Sequence, residues 1–229
     1  NDYGVGIGGT FVEAYKTLGG EVVAEVKHEE KKNSYRSELA TLSKAGGDAL
    51  VVIAYAGDSG SKIVKQAIEG GLFTKFIGTD GLRDEALISD IGAEALATSF
   101  FSAPTSPADN PNQAKLHELY TAAYNEPADK PFVDQTYDAT FLALLAVEQA
   151  GSADRSKMAE ALRAVASAPG EKVGPGEWAK AKALIAEGKD IDYDGAGGSY
   201  DFDENGDVAG FIGKFVVDGD VYKQIAIVE

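Results

Sequence analysis

The sequence predicts an α/β fold, because helix-like and strand-like segments alternate over the part of the chain before residue 104. Three predicted helices there end at glycine pairs, and an apolar run follows each pair: Gly19-Gly20, Gly46-Gly47 and Gly70-Gly71. Alternation at a spacing of about 25 residues is typical of a doubly wound parallel sheet. With 229 residues, of which 44% are hydrophobic, the chain can bury a sizeable core.

The clearest unit is Asp48–Gly81, in which a strand, a glycine-rich loop, a helix, a second strand and an acidic loop follow one another. Ala49–Ala54 is an almost wholly apolar run, suited to a strand that is buried on both faces of a parallel sheet. Phe73–Gly78 predicts the second strand. Because a right-handed β-α-β unit opens both of its loops on one sheet edge, Tyr55–Ser59 and Thr79–Gly81 should face one crevice, where such sheets bind ligands.

The other elements of this first part follow the same order. The opening residues, NDYGVG, predict a loop that leads into a helix, and Glu21–Lys27 predicts the strand after that helix. Asn33 or Ser34, both good N-caps, should begin the second helix. A short helix around Asp84–Ile91 and a strand around Thr98–Ser102 complete the unit.

The pattern changes at Pro104–Pro111, a proline-rich stretch that is typical of a linker. Beyond it the apolar spacing predicts mainly helices, and Asp190–Asp207 is rich in turn residues. Gly210–Val217 and Val221–Val228 predict a closing β-hairpin. Because these helices have no sheet of their own in the sequence, we expect the chain to be a part of a longer protein.

The composition excludes several classes of function. The net charge of −16 argues against binding to nucleic acid or an anionic membrane, since both need a basic face. The absence of cysteine excludes thiolate metal sites and thiol catalysis, and two histidines, His28 and His117, leave little scope for imidazole chemistry. No run approaches the roughly 18 apolar residues of a membrane-spanning helix.

Gly4–Gly9 satisfies the G-x-G-x-x-G fingerprint of dinucleotide-binding proteins. This motif supports one alternative hypothesis, a dinucleotide-dependent oxidoreductase that uses Gly4–Gly9 as its phosphate loop. The fingerprint is weak alone, because it requires a preceding strand that places the loop against a pyrophosphate. Such a strand is not part of the sequence.

Two further motifs favour structure over chemistry. Gly57-Asp58-Ser59-Gly60 is similar to a serine nucleophile motif, but no base can be assigned to Ser59, and Asp58 or Ser59 should instead cap the following helix. Asp201–Gly206 resembles the start of a calcium loop, yet the twelfth position is Ile212 and not glutamate. We therefore predict a polar turn there, no catalytic residue, no metal site and no cofactor.

Asp80 follows a predicted strand directly, at the sheet edge where topology predicts a ligand. A carboxylate at that place suits a cation such as an α-ammonium group, which it would bind by a charge-assisted hydrogen bond. Alternatively, Asp80 starts a turn or caps the helix near Asp84. Tyr3 and Tyr55 should reach the same edge, either as walls of the cleft or as core aromatics.

Several motifs together resemble the periplasmic solute-binding proteins of ABC importers, and among them the branched-chain amino-acid (Leu/Ile/Val-binding) type: NDYGVG, IAYAGDSG, FIGTDG, YDA at 137–139 and DYDGAGGSYDFDENGDV at 192–208. The resemblance implies a type I periplasmic-binding-protein fold of two α/β lobes joined by three crossovers. Residues 1–103 would form the second lobe without its first strand. Residues 104–209 would form the returning, mainly helical part of an incomplete first lobe, and 210–229 the final crossover and hairpin.

The resemblance also implies ligand contacts. Asp80 lies where the family has an acidic residue against the α-ammonium group of the ligand, and Tyr3 matches a tyrosine of the cleft. Phe132 matches an aromatic that lines the side-chain pocket. The 55–58 loop matches a segment with a ligand-facing tyrosine, but Ala56 stands at that position and Tyr55 precedes it; the loop is completed by Gly57 and Asp58.

The sequence thus predicts a periplasmic, non-enzymatic protein that binds an amino acid in an interlobe cleft and delivers it to the membrane permease of an ABC transporter. Closure of the lobes around the ligand would be its mechanism. A ligand-sensing domain of a receptor is a second alternative, because the same fold supports that function.

Overall fold

The computed structural model describes residues 1–228 and contains, within them, two β-sheets surrounded by α-helices. The helices are α1 (Asp2–Thr17), α2 (Arg36–Lys44), α3 (Ser61–Glu69), α4 (Glu85–Ile91), α5 (Ala93–Leu96), α6 (Pro111–Tyr124), α7 (Val133–Ala150), α8 (Arg155–Ala166) and α9 (Trp178–Ala186). The strands are β1 (Leu50–Val52), β2 (Phe76–Gly78), β3 (Phe100–Thr105), β4 (Glu171–Val173), β5 (Ile191–Tyr193), β6 (Phe211–Asp218) and β7 (Val221–Val228). A π-helical turn (Ala56–Gly60) follows β1, and a 3₁₀ turn (Asp80–Leu82) follows β2.

The larger sheet has the strand order β1-β2-β3-β6-β7. Strands β1, β2 and β3 run parallel, and the register pairs Val52 with Gly78 and Gly78 with Phe101. The β6 and β7 strands are neighbours joined by two residues, of which Gly219 adopts a φ of 63°. The predicted closing hairpin is therefore confirmed, as is the parallel β-α-β unit around α3.

The chain forms two compact units. The first comprises Asn1–Ala103 and Gly213–Ala226, and the second comprises Pro104–Ile212 together with the end of β7. The chain therefore passes from one unit to the other three times. The predicted linker Pro104–Pro111 begins within the end of β3 and continues to the first residue of α6.

The core of the first unit forms where helix stripes cover the sheet. Val64 and Ala67 of α3 are fully buried, and Phe76 of β2 and Phe101 of β3 are buried beside them. Their positions agree with the spacing of apolar residues in an amphipathic helix and in strands that are buried on both faces. Burial of such side chains contributes about 1.5–3 kcal/mol each, which makes this β-α-β unit the stable base for the loops at its edge.

The second unit has a small sheet that the sequence did not predict. Strands β4 and β5 pair in parallel, with Lys172 opposite Asp192, and lie against α7, α8 and α9. The expectation that these helices lack strands of their own was wrong. Each strand has only three residues and includes a charged side chain, so neither shows the apolar alternation that indicates a strand.

Two predictions for the first residues were also wrong. Asn1 caps α1 through its side chain, which accepts from the Gly4 N–H at 2.9 Å, so NDYGVG is helical and not a loop. The Glu21–Lys27 segment alternates in burial but is not a strand, because no neighbouring strand pairs with it among residues 1–228. Alternation alone cannot make a strand without a hydrogen-bonding partner.

None of the helices within residues 1–228 is both long enough and apolar enough to cross a membrane.

Candidate functional site

Two loops meet where β1 and β2 end. The first begins at Tyr55 and continues as the π-turn, and the second begins at Thr79 and continues as the 3₁₀ turn that starts at Asp80. Both follow parallel, paired strands, so they leave the sheet at the same edge. The structure therefore brings together the two loops that topology predicts to share a crevice.

The Tyr3 hydroxyl of α1 joins these elements. Its oxygen lies 2.6 Å from Thr79 Oγ1 and 2.9 Å from Asp80 Oδ1, and it accepts from the Gly81 N–H at 3.3 Å. Since the Asp80 carboxylate can only accept, Tyr3 donates to Asp80, and Thr79 donates to Tyr3. Burial raises the pKa of Tyr3, so the hydroxyl keeps the proton that this bond requires.

Asp80 is half-buried, and only one of its carboxylate oxygens is used by this network. Oδ1 accepts from Tyr3, while Oδ2 has no hydrogen-bond donor among residues 1–228. The side chain does not cap α4, because Asp84 caps that helix by accepting from the Ala86 N–H at 2.8 Å. The alternative of Asp80 as a helix cap is therefore wrong, although its backbone does begin a turn.

Tyr55 provides an aromatic surface beside this carboxylate. Its ring stacks on Tyr3 with 4.8 Å between ring centroids, and 45% of the residue remains exposed. A stacked pair of this kind contributes about 0.5–1.5 kcal/mol beyond the area that it buries. Tyr3 thus contacts both loops: its ring stacks on Tyr55 of the first loop, and its hydroxyl bonds the second loop.

Two glycines allow the loops to approach this closely. A Cβ atom on Gly81 would lie 2.8 Å from the Ala54 carbonyl oxygen and 3.1 Å from the Tyr3 hydroxyl. A Cβ atom on Gly60 would lie 2.4 Å from Leu82 Cδ2 and 2.9 Å from the Tyr55 carbonyl oxygen. The site therefore depends on the absence of side chains at both positions.

The 3₁₀ turn is also supported by the closing hairpin. The Tyr222 hydroxyl of β7 lies 3.1 Å from the carbonyl oxygens of both Leu82 and Asp84. The Arg83 guanidinium lies over the Phe215 ring of β6, 3.9 Å from the ring centroid. Residues that are distant in the chain thus fix the backbone on which Asp80 sits.

The residues of the π-turn differ in their burial and in their hydrogen bonds. Ala56 is buried in the core, and Gly57 is exposed. Asp58 Oδ1 accepts from the Lys31 N–H at 3.0 Å, and the buried Ser59 hydroxyl lies 2.9 Å from His28 Nε2. The prediction that Asp58 or Ser59 caps α3 was wrong, because the π-turn continues directly into that helix and leaves no free N-terminus.

Phe132 belongs to the second unit, where it precedes α7 with a φ of 65° and is 41% exposed. Left-handed backbone is rare for a bulky side chain and is concentrated at functional positions. No contact in the structure tests the predicted ligand roles of Phe132, Ala56, Gly57 or Asp58, and these remain predictions.

Gly4–Gly9 lies within α1. A dinucleotide fingerprint needs its glycines in the turn between a strand and a helix, so that backbone N–H groups face a pyrophosphate. In α1 the N–H groups from Val5 onward are engaged inside the helix, and the Gly4 N–H donates to Asn1. The structure therefore does not support the use of Gly4–Gly9 as a phosphate loop, on which the oxidoreductase hypothesis depends.

The predicted polar turn at Asp201–Gly206 is observed. Asp203 Oδ1 accepts from the N–H groups of Asn205 at 2.8 Å and Asp207 at 2.9 Å, so this carboxylate is used within its own turn. Among the residues described, no group of three or more histidine, aspartate or glutamate side chains could hold a metal ion.

The YDA and DYDGAGGSY motifs form a buried network around Asp138 of α7. Its carboxylate accepts from the Tyr193 and Tyr200 hydroxyls, at 2.7 and 2.8 Å, and from the Ala196 and Gly197 N–H groups, at 3.1 and 2.6 Å. Burial raises the pKa of both tyrosine hydroxyls, which therefore remain donors. All of these contacts lie inside the second unit, so the two motifs serve its structure.

The larger sheet carries these loops at the carboxyl edge of its parallel strands, an arrangement that type I periplasmic binding proteins share with other doubly wound folds. The chain belongs to the periplasmic binding protein family, whose model matches residues 1–182. The predicted fold class and family resemblance are thereby confirmed.

Relatives and solved structures agree with this assignment. The chain is 26% identical to a leucine-binding protein, LivK, from Thermotoga maritima, with a TM-score of 0.76 over 100% of this chain and 57% of that one. It has the fold of the branched-chain amino-acid substrate-binding protein LivJ from Streptococcus pneumoniae, which was solved with isoleucine, at 22% identity and a TM-score of 0.69, over 99% of this chain and 56% of that one.

Two sequence relatives have names that point to different systems. One is a leucine-, isoleucine-, valine-, threonine- and alanine-binding protein from Pseudomonas aeruginosa, 28% identical over 57% of this chain and 34% of that protein. The other is a substrate-binding protein, BasB, of a chemotactic signal transduction system in Halobacterium salinarum, 26% identical over 65% of this chain and 34% of that protein. The chain spans little more than half the length of the solved relatives.

Proposed function

We propose that the protein is a periplasmic solute-binding component of an ABC transporter, and that it binds a branched-chain or related amino acid. The half-buried Asp80 carboxylate carries this proposal, because its oxygen Oδ2 is free of protein donors among residues 1–228 while Tyr3 fixes Oδ1. The names of the leucine-binding and broader amino-acid-binding relatives support the same ligand class.

In this proposal Oδ2 of Asp80 accepts a hydrogen bond from the α-ammonium group of the ligand. Such charge-assisted bonds are about twice as strong as neutral ones. Tyr3 contributes by holding the carboxylate in one orientation before the ligand arrives, so less entropy is lost on binding. Tyr55, a residue that is 45% exposed, would contact the ligand with its ring as an aromatic wall.

The rest of the pocket would come from Ala56, Gly57, Asp58 and Phe132. We propose that the whole protein binds its ligand in an interlobe cleft, as the family resemblance implies, and that the higher affinity of the ligand for the closed form drives closure. The closed form would then present its surface to the transporter permease. The protein needs no catalytic residue for this function.

The relationship to BasB favours a second candidate, in which the loaded protein signals to a chemotaxis receptor. Both candidates use the same ligand site and differ only in the partner of the loaded form. Purification of the loaded protein with membranes of its own organism distinguishes them, since a permease or a receptor would be retained.

A thermal-shift screen of the natural protein that carries this sequence, against the twenty amino acids, tests the proposal. Ligand at about 100 times its Kd should stabilise the protein by about 2.7 kcal/mol, which raises the Tm by several degrees. Leucine, isoleucine and valine should give the largest shifts, and N-acetyl-leucine, which lacks the ammonium group, should give none. Equal shifts for N-acetyl-leucine and leucine would contradict the role of Asp80.

A further inference from the structure

The π-turn that follows Tyr55 is held by two hydrogen bonds with residues 28–31. His28 Nε2 lies 2.9 Å from Ser59 Oγ, and the Lys31 N–H donates to Asp58 Oδ1 at 3.0 Å. Ser59 is 2% exposed, so its hydroxyl is closed to solvent and satisfied by the imidazole. Neither contact touches the Tyr3–Asp80 network directly.

The segment that carries His28 is itself firmly anchored. The buried Tyr35 hydroxyl donates to the Glu29 carbonyl and accepts from the Lys32 N–H, both at 3.0 Å. The Lys62 ammonium of α3 donates to the Lys32 carbonyl at 2.8 Å. The His28 ring also contacts the Tyr35 ring edge-on, with 5.5 Å between centroids. His28 is therefore a fixed point against which the π-turn can be positioned.

The π-turn connects Ser59 to Tyr55 through its backbone hydrogen bonds. Its hydrogen bonds include Gly60 N–H to the Tyr55 carbonyl at 2.9 Å and Ser61 N–H to the Ala56 carbonyl. Single π-turns are less favourable than α-helix and recur at functional sites. Because one of these bonds ends on the Tyr55 carbonyl, movement of Ser59 would be transmitted to the residue that stacks on Tyr3.

We propose that His28 is a positioning residue for the ligand site, and that its hydrogen bond to Ser59 holds the π-turn so that Tyr55 stays stacked on Tyr3. The effect on ligand affinity rests on the proposed function, whereas the effect on the π-turn does not. A neutral imidazole that carries its proton on Nδ1 accepts the Ser59 proton at Nε2. An imidazolium must instead donate there, and the buried hydroxyl then loses its acceptor.

This role predicts that ligand affinity, and not only the stability of the π-turn, depends on pH. Burial lowers the pKa of His28 below its ordinary 6.5, although the charges of Glu38 on α2, Asp58 on the π-turn and Glu30 oppose this shift. A lowered pKa means that protonation favours the loosened state. Ligand affinity and the protection of the π-turn should therefore fall as the pH is lowered through and below 6.5.

The test uses three variants of the natural protein. His28→Phe keeps a ring against Tyr35 but loses the bond, and Ser59→Ala removes the partner. His28→Gln supplies an amide oxygen that can accept the Ser59 proton and does not titrate. Ser89→Ala, which removes an exposed hydroxyl that bonds only its own helix at 3.1 Å, is the control. Hydrogen exchange of the amides of residues 56–60 and the Kd for leucine are measured at about pH 7.5 and about pH 5.5, which bracket the ordinary imidazole pKa.

His28→Phe and Ser59→Ala should speed amide exchange in the π-turn and weaken leucine binding, each by about 3- to 10-fold, as expected for one lost hydrogen bond. His28→Gln should keep most of the amide protection in the π-turn and most of the leucine affinity at pH 7.5. Neither quantity should depend on pH in this variant. Unchanged amide exchange in both damaging variants would overturn the proposal, whether or not leucine binds. Faster amide exchange in the π-turn with an unchanged Kd for leucine would refute the proposed effect of the π-turn on the ligand site. Faster exchange in a protein that binds no amino acid would support the positioning of the π-turn and refute the proposed function.

Discussion

Tyr3 and Asp80 are separated by 77 positions in the chain, yet the Tyr3 hydroxyl donates to Asp80 Oδ1 across 2.9 Å. This bond joins the first helix to the loop after β2. It also leaves Oδ2 free of protein donors among residues 1–228, in a half-buried position beside two aromatic rings. A carboxylate that is oriented in this way before binding can select a cationic group.

Replacement of Tyr3 by phenylalanine should weaken the site without unfolding the protein. The variant keeps the ring that stacks on Tyr55 but removes the hydroxyl that joins Thr79, Asp80 and Gly81. Each of these three bonds contributes about 0.5–1.5 kcal/mol, so the free energy of unfolding should fall by at least the contribution of one bond. Urea denaturation measures it. Tyr15→Phe, on the same helix, is the control, and an equal loss there would count against a specific role of the Tyr3 hydroxyl.

Gly81→Ala should separate the two loops. The new Cβ atom would lie 2.8 Å from the Ala54 carbonyl oxygen, so the backbone must move. Overpacking of this kind costs about 1–3 kcal/mol in the free energy of unfolding. Gly57→Ala is the matched control for stability, because the space around that position is open. If the two variants were equally stable, the close approach at Gly81 would not be required.

Asp138→Asn should destabilise the second unit. Burial raises the pKa of this carboxyl, and four hydrogen bonds from Tyr193, Tyr200, Ala196 and Gly197 oppose that shift. An asparagine turns one acceptor into a donor that faces these donors, at a cost of about 1–3 kcal/mol. Asp129→Asn, at an exposed position, should cost almost nothing in the same thermal unfolding experiment. A Tm loss of the same size in both variants would refute a special role of the buried network.

Glu38→Gln should flatten the acid side of the stability profile. The hydrogen bond from the Lys32 ammonium is the largest cause that lowers the pKa of Glu38, to about 2 from the ordinary 4.5. A carboxyl whose pKa is lowered by folding stabilises the protein above the unfolded value, and this contribution is lost as pH falls through the folded value. The Tm of the wild type should therefore fall more steeply than that of Glu38→Gln between pH 4.5 and about 2. Parallel curves would refute the pairing.

Much of the first unit can be predicted from the sequence, because Asp48–Gly81 combines apolar strands, a helical stripe and glycine stops in one short stretch. Those local signals also bring Tyr55 and Asp80 to one edge, which the structure bears out; their contact with a ligand remains a prediction. In the second unit β4 and β5 are too short and too polar to show a strand pattern.

Other features depend on contacts that no local pattern reveals. Glu21–Lys27 alternates like a strand, but pairing decides whether a strand forms. The four glycines of Gly4–Gly9 suggested a loop, whereas the Asn1 cap and continuous hydrogen bonding make a helix. The His28–Ser59 bond joins residues 31 positions apart, and no pattern in the sequence predicts that these two residues meet.

The most direct test of the central claim is calorimetric titration of the natural protein with leucine, isoleucine and valine, in the wild type and in Asp80→Asn. Loss of a charge-assisted hydrogen bond to the ammonium group should raise the Kd about 10- to 150-fold. Asp90→Asn, an exposed substitution on α4, should leave the Kd unchanged. Binding of these amino acids by Asp80→Asn with the wild-type Kd would contradict the assignment of Asp80 as the ammonium anchor.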